Sequence, residues 1–215
     1  NRLDPTYIIG GEITNVGSNA KAGKGDFVVA EADESDGSFL QYHPSIALVT
    51  NIEADHLENY DGDFNNLLKA YAQFLSQVKS GGASILCADD PYLAEMMKQV
   101  NGNLITYGID EPADFTAEQI ELGDRKAVFT VKNKGEKLGV LELSVATLIV
   151  CLQAGLAFDQ VAAAIKQFRG AKRRFQVMGE TQDIMVIDDY AHHPTEIQAT
   201  IIAAKATGKN ITAVF

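Results

Sequence analysis

Disulfide chemistry, long apolar runs and positive charge are all scarce in this sequence, and each shortage excludes something. Only two cysteines, Cys87 and Cys151, occur in 215 residues, both in apolar stretches. They cannot build a disulfide framework, so a reducing cytoplasm is the simple expectation. The longest apolar run, about Val145 to Leu152, falls far short of the roughly 20 residues a membrane span needs. No cationic start followed by an apolar core marks a signal peptide. Lys and Arg number 18 against 29 Asp and Glu, a formal net charge of −11. Such a surface repels phosphate backbones, so neither nucleic acid nor a membrane is expected as a partner. No G-x-x-x-x-G-K-[ST] loop occurs, which argues against this stretch hydrolysing nucleotide by itself. Hydrophobic residues at 46% and charged residues at 22% are ordinary globular values. They exclude a disordered tail, a collagen-like rod and a disulfide-dense miniprotein. The length lies between one large domain and two small ones.

Through the first hundred residues, short β-rich runs alternate with amphipathic helical stretches. Tyr7–Ile9, Phe27–Ala30, Ile46–Thr50, Ala83–Ala88 and Leu104–Tyr107 are continuous rather than alternating, the pattern of buried parallel strands. Phe64 to Val78 puts Phe64, Leu67, Leu68, Tyr71, Phe74, Leu75 and Val78 on one helical face. Asp90 before Pro91 reads as an N-cap and first helical residue, opening a helix to about Val100. The fold class is therefore α/β, a doubly wound, mostly parallel sheet. From Asp114 to Val145 the period changes to two. Val128–Val131 and Leu138–Val145, joined by Asn133-Lys-Gly-Glu, predict an antiparallel hairpin section. Helical patterns cover Ala146 to Gly155 and Phe158 to Phe168, and Gly170 to Arg174 is a basic linker. Ile184–Ile187 then starts a second β-α-β unit, its helix opening at Pro194, and the sequence stops at Phe215 inside an expected strand. Gly10-Gly11 and Gly81-Gly82 read as turns. The strand to Val145 meets a helix at Ala146 with no Gly, Pro, Asn or Asp between them, although a reversal needs such chemistry. A missing segment at 145/146 and further terminal segments are the expectation.

Charge is uneven. From Gly25 to Leu68 there is no Lys or Arg, yet Asp26, Glu31, Asp33, Glu34, Asp36, Glu53, Asp55, Glu58, Asp61 and Asp63 all occur there. Four of them crowd into Glu31-Ala-Asp-Glu-Ser-Asp36 immediately after an expected strand, and Asn51-Ile-Glu-Ala-Asp-His56 follows the next one. In an open parallel sheet ligands bind beyond the carboxyl ends of strands, so both clusters should open onto one crevice. Crowded carboxylates repel, and a divalent metal resolves the repulsion. Mg²⁺ takes one or two carboxylates plus substrate phosphates, while a histidine ligand leaves room for Mn²⁺ or a water-mediated contact. A solvated acidic loop with a surface histidine explains the same pattern equally well. A second constellation, Asp188-Asp-Tyr-Ala-His-His-Pro194, opens a helix whose free N–H groups favour anions; a plain capping turn is the alternative. Arg173 and Arg174 have the geometry for bidentate phosphate binding, or are the solvated charge of a linker.

Taken together, Ala30-Glu-Ala-Asp-Glu-Ser-Asp36, Thr50-Asn-Ile-Glu-Ala-Asp-His56, Gly62-Asp-Phe64, Arg173-Arg-Phe175 and Asp188-Asp-Tyr-Ala-His-His-Pro-Thr-Glu196 resemble the Mur ligase family. The resemblance runs in order over nearly the whole chain. It is nearest to the branch that joins L-alanine to UDP-N-acetylmuramate in peptidoglycan synthesis. The branch that recycles murein tripeptide is the alternative, and a non-catalytic nucleotide- or metal-binding module or a scaffold are the others. The resemblance implies a P-loop-type central domain over residues 1–170, without its phosphate loop, and the beginning of a Rossmann-like C-terminal domain over 171–215. It implies ATP and Mg²⁺ (Mn²⁺ as a substitute), with UDP-N-acetylmuramate and L-alanine as substrates. By position, Glu31 would coordinate Mg²⁺ and His56 a second one near the substrate carboxylate, these two being the catalytic pair. Arg174 would meet ATP phosphate, Asp189 the ribose, and His192 a phosphate or substrate. Tyr71 falls about where several relatives carry a carbamoylated lysine, so no modified lysine is expected. The implied chemistry is an acyl phosphate formed from ATP and displaced by an amine. The isolated piece should be inactive.

Overall fold

Ile85 and Leu86 are neighbours, both fully buried, and they sit in different hydrophobic cores. That is possible only on a strand covered on both faces, because successive side chains point opposite ways. The strand belongs to an α/β architecture. In chain order the elements are β1 (Thr6–Ile13), β2 (Ser18–Lys21), β3 (Val28–Ala30), β4 (Ile46–Val49), α1 (Phe64–Ser76), β5 (Ala83–Cys87), α2 (Pro91–Met97) and β6 (Asn103–Gly108). Then come β7 (Phe115–Gly123), β8 (Lys126–Asn133), β9 (Glu136–Glu142), α3 (Val145–Gln153), α4 (Phe158–Gln167), β10 (Gln176–Thr181), β11 (Ile184–Asp188) and α5 (Pro194–Lys205). Short 3-10 turns occupy Ser38–Gln41 and Leu57–Tyr60. The computed structural model describes residues 3–123, 126–142 and 144–214. They fall into two units, one from Ala32–Glu121 and Ala127–Lys166, the other from Asn1–Glu31, Leu122–Lys126 and Gln167–Phe215.

The first unit is built on a six-stranded sheet in the order β4-β5-β6-β7-β8-β9. Its β4/β5, β5/β6 and β6/β7 pairs are parallel and its β8/β9 pair is antiparallel, so the sheet is mixed and mostly parallel as expected. One core gathers Phe39, Val49, Ile52, Leu67, Phe74, Leu86 and Leu93 under α1 and α2. The other gathers Ile85, Ile105, Phe129, Val131, Leu148, Ile149 and Val161 with α3 and α4. The expected apolar face of α1 packs into the first core, with Phe39 against the rings of Tyr71 and Phe74 at 5.4 and 5.3 Å. Asp63 caps α1 through Asn65 N, and Asp90 caps α2 ahead of Pro91. α2 ends at Met97 rather than near Val100. The two cysteines pack against different cores, and burial pushes both thiols up.

Within the second unit, β2-β1-β3 form a small sheet, and β10 and β11 an antiparallel pair. Several expectations are corrected here. β1 and β3 pair in parallel, but they are not buried: Val28 is 69% exposed and Ile8 59%. A continuous apolar run signals burial only where both faces are covered, and β3 is an edge of three strands. Gly10-Gly11 lies inside β1, not in a turn. β11 does not begin a β-α-β unit alone but closes a hairpin with β10, through Gln182 and Asp183 at φ 46° and 63°, both left-handed as a type I′ turn requires. Residues 210–214 carry no strand, and Phe215 lies outside the described residues. At the 145/146 joint, β9 ends at Glu142 and Val145 already belongs to α3. Ser144 supplies the chemistry, its side chain accepting from Thr147 N at 3.2 Å as an N-cap.

Candidate active site

Each acidic motif makes its own turn, and the turns hold one another. Asp33 Oδ1 accepts from Ser35 N and Asp36 Oδ1 from Ser38 N, both at 2.8 Å. Side-chain bonds with those serines, then the backbone bonds, hold the Asp33 and Asp36 carboxyls below their ordinary range. For Asp33 the neighbouring Asp36 opposes the shift and the His56 imidazole adds to it. So the structure brings His56 close to Asp33, within one unit. His56 takes a left-handed backbone, φ 52°, at the entry to the turn Leu57–Tyr60. Its imidazole lies between two carboxylates, Nε2 3.8 Å from Asp55 and Nδ1 3.7 Å from Glu58, and it is half-exposed. Asp90, the α2 cap, reaches across to accept from Ile52 N at 3.1 Å and so anchors the 51–56 motif as well. Sequence reasoning found the cap and missed this second bond, which no local pattern announces.

Glu31 belongs to the other unit, just past β3. Its N–H donates to the Ile8 carbonyl at 2.9 Å, and its Oε2 accepts from Gly10 N at 2.6 Å. A Cβ on Gly10 would stand 3.2 Å from that oxygen, so the glycine lets a carboxylate lie on the strand. The expectation that the two motifs follow neighbouring strands of one sheet is corrected: β3 belongs to the three-stranded sheet and β4 to the six-stranded one. Glu31 and His56 therefore sit at the ends of strands in different sheets.

The basic linker separates its two arginines by partner. Arg173 Nε lies 3.6 Å from Asp188 Oδ2, and its guanidinium sits 4.8 Å from the Tyr190 ring centroid. Arg174 is exposed and has no hydrogen bond or ion pair among the described residues. Asp189 is half-buried and ties two loops, accepting from Phe175 N at 2.6 Å and Ala191 N at 2.8 Å. A carboxylate has about four lone-pair sites, so capacity for a further donor is left. His192 Nδ1 lies 3.1 Å from the Tyr190 carbonyl, which leaves Nε2 pointing away from that contact as its second polar atom. Glu196 completes a capping box at the start of α5 with His193.

Among the described residues no three His, Cys, Asp or Glu side chains converge as a ready-made cage. What they offer is an exposed carboxylate, Glu31, oriented by Gly10 N with its second oxygen unclaimed. That fits a hard cation which keeps most of its waters and shares substrate phosphates. Tyr71 is packed in the first core, where burial and then Glu34 raise its phenol well above the ordinary range, so it stays neutral.

Comparison with known proteins decides the family. Residues 12–148 match the Mur ligase middle domain and residues 173–215 the glutamate ligase domain of Mur ligases. The chain belongs to the Mur ligase family. It is 47% identical over 215 residues to the UDP-N-acetylmuramate–L-alanine ligase of Pelotomaculum thermopropionicum, covering 95% of this chain and 46% of that relative. This Mur ligase chain thus spans about half the length of the curated relatives it matches. Among solved structures, the UDP-N-acetylmuramate–alanine ligase of Thermotoga maritima superposes with a TM-score of 0.78 at 28% identity, over 97% of this chain and 49% of that one. A murein peptide ligase of Psychrobacter arcticus gives 0.68 at 25% identity, over 94% and 49%. None of the described helices is long and apolar enough to cross a membrane.

Proposed function

We propose that the protein carrying this chain is an ATP-dependent ligase that joins L-alanine to the carboxylate of UDP-N-acetylmuramate. The observation that carries this is the 47% identity, over 95% of the chain, to a ligase of that name. In the reaction a carboxylate oxygen of the sugar nucleotide attacks the terminal phosphorus of ATP, and ADP leaves. The alanine amine then attacks the acyl carbon, inorganic phosphate leaves, and the amine sheds a proton. Two anions must meet, so oriented donors and local cations have to cancel their repulsion. Arg174, with no partner among the described residues to give up, is suited to a phosphate; Asp189 suits the ribose hydroxyls, and His192 in its imidazolium form, which donates from Nε2 as well, a phosphate or substrate oxygen. Glu31 would hold Mg²⁺, and His56 a second ion toward the substrate side. When bound, the metal supplies charge neutralisation at the phosphates.

The division into a central domain to residue 170 and a C-terminal domain from 171 is part of the same proposal. It is supported by the gap between the two family matches, which leaves residues 149–172 unassigned. A segment lost between Val145 and Ala146, and a cytoplasmic location, are proposed likewise. Phosphate release by the full-length protein, with each substrate omitted in turn, tests the function. Release that needs ATP, UDP-N-acetylmuramate and L-alanine together is expected. Release that accepts a murein tripeptide and ignores L-alanine would favour the recycling branch instead, and binding of ATP without turnover would favour a non-catalytic module.

A further inference from the structure

Two side chains outside the recognised motifs fasten one motif to the other. The turn Leu57–Tyr60 follows His56 directly, and its last two residues reach back to the acidic loop. Asn59 Nδ2 donates to the Ser35 carbonyl at 2.5 Å, and the Tyr60 hydroxyl donates to the Glu34 carbonyl. Those carbonyls lie four and three residues past Glu31. Tyr60 is 8% exposed and its ring is part of the first core, so the hydroxyl is aimed rather than free. Burial, reinforced by Glu34, Asp36 and Asp33, raises its pKa, which keeps it a donor. Beyond the loop, the fully buried Phe39 fixes the exit against Tyr71 and Phe74. The carboxylates of Asp33 and Asp36 shape the loop internally through Ser35 and Ser38. Asn59 and Tyr60 supply its link to the His56 turn.

We propose that Asn59 and Tyr60 are positioning residues, which hold the acidic loop at a fixed distance from His56 so that groups bound by the two motifs meet in register. The chemical consequence rests on the ligase reading; the geometry does not. Tyr60→Phe, made in the full-length protein, keeps the ring in its core and deletes one O–H. Losing a hydrogen bond of ordinary strength corresponds to about fivefold in a local opening equilibrium. Amide exchange of the segment 33–38, followed by mass spectrometry, should accelerate by about that factor. In ligation assays the half-activating Mg²⁺ concentration should rise and kcat fall, while KM for UDP-N-acetylmuramate stays at the parent value and the Tm drops by no more than about 4 °C. Asn59→Ala, a change at an exposed residue, should reproduce both effects even if Tyr60→Phe folds poorly. Unchanged exchange at 33–38 in both variants overturns the proposal. So does faster exchange with parental Mg²⁺ dependence and kcat. A parent protein that fails to ligate L-alanine sinks the ligase reading, and the exchange result then decides the positioning geometry by itself.

Discussion

Asp90 joins α2 to the 51–56 motif, and its loss can be worked through bond by bond. Its Oδ1 accepts from Tyr92 N at 2.9 Å and Leu93 N at 2.8 Å, while Oδ2 accepts from Ile52 N at 3.1 Å. Replacing an N-cap aspartate by alanine costs about 1 kcal/mol. The Ile52 amide is a different case, because Ile52 is 2% exposed and its N–H would lose its acceptor where water has little access. An unsatisfied buried donor costs about 1–3 kcal/mol. Asp90→Ala should therefore destabilise by about 2–4 kcal/mol, a fall in Tm of roughly 4–16 °C for a chain of this size. Asp90→Asn separates the two parts. Asparagine caps as well as aspartate but offers one carbonyl oxygen instead of two, so it should keep the cap and lose the Ile52 bond. Thermal melts followed by circular dichroism give the comparison. Asparagine is expected between alanine and the parent. If alanine falls by no more than a cap's worth and asparagine melts with the parent, the bond to Ile52 stabilises nothing and the motif is held by other means.

Three further outcomes follow from the site. Arg174→Ala should raise the ATP concentration needed for half-maximal ligation while leaving UDP-N-acetylmuramate binding nearly intact, and equal loss of both affinities would assign the linker arginine a structural role. Glu31→Gln keeps the size and removes the charge, so turnover should drop by about 10²–10³ and recover in part at high Mg²⁺; ligation at the parent rate would remove Glu31 from the metal. The folded carboxyls of Asp33 and Asp36 lie below the ordinary aspartate value of 3.8, so the stability they lend is complete above that value and is lost as pH falls through their lowered folded pKa. The Ser35 and Ser38 amide signals should hold steady down to about pH 4 and move only below it, and movement already near pH 6 would contradict the assignment.

What the sequence made legible was the part governed by local chemistry. α1 and α2 declare themselves through caps and a 3.6-residue stripe, and the β8/β9 hairpin through its two-residue period and a turn with Lys134 and Gly135 at φ 48° and 83°. The failures have equally physical causes. β10 carries little sequence signal, because Gln-Val-Met-Gly-Glu-Thr alternates weakly and its turn, Gln182-Asp183, lacks the glycine or asparagine that normally signals positive φ. The apolar runs of β1 and β3 suggest burial because they report strand propensity, whereas burial depends on what the rest of the fold lays over them.

At the site, residue types were legible and partners were not. Arg173 and Arg174 are equivalent as letters, yet one is engaged by Asp188 and Tyr190 and the other has no partner among the described residues to release before it meets an anion. An arginine already paired must surrender that pairing to bind phosphate, so its net gain is smaller. The same reasoning divides Asp188 from Asp189: the first faces a guanidinium, the second accepts two backbone N–H groups and so fixes the loops that carry Arg174 and His192. The contacts that separate them, Arg173 with Asp188 and Phe175 N with Asp189, span 14 residues or more, which no spacing rule encodes. They also show why Asn59 and Tyr60 went unnoticed: neither has chemistry of its own to offer, and their bonds to Ser35 and Glu34 exist only once the chain has brought two motifs together. A motif read from sequence names the groups that touch a ligand, but the residues that set the distance between motifs can be found only from the fold.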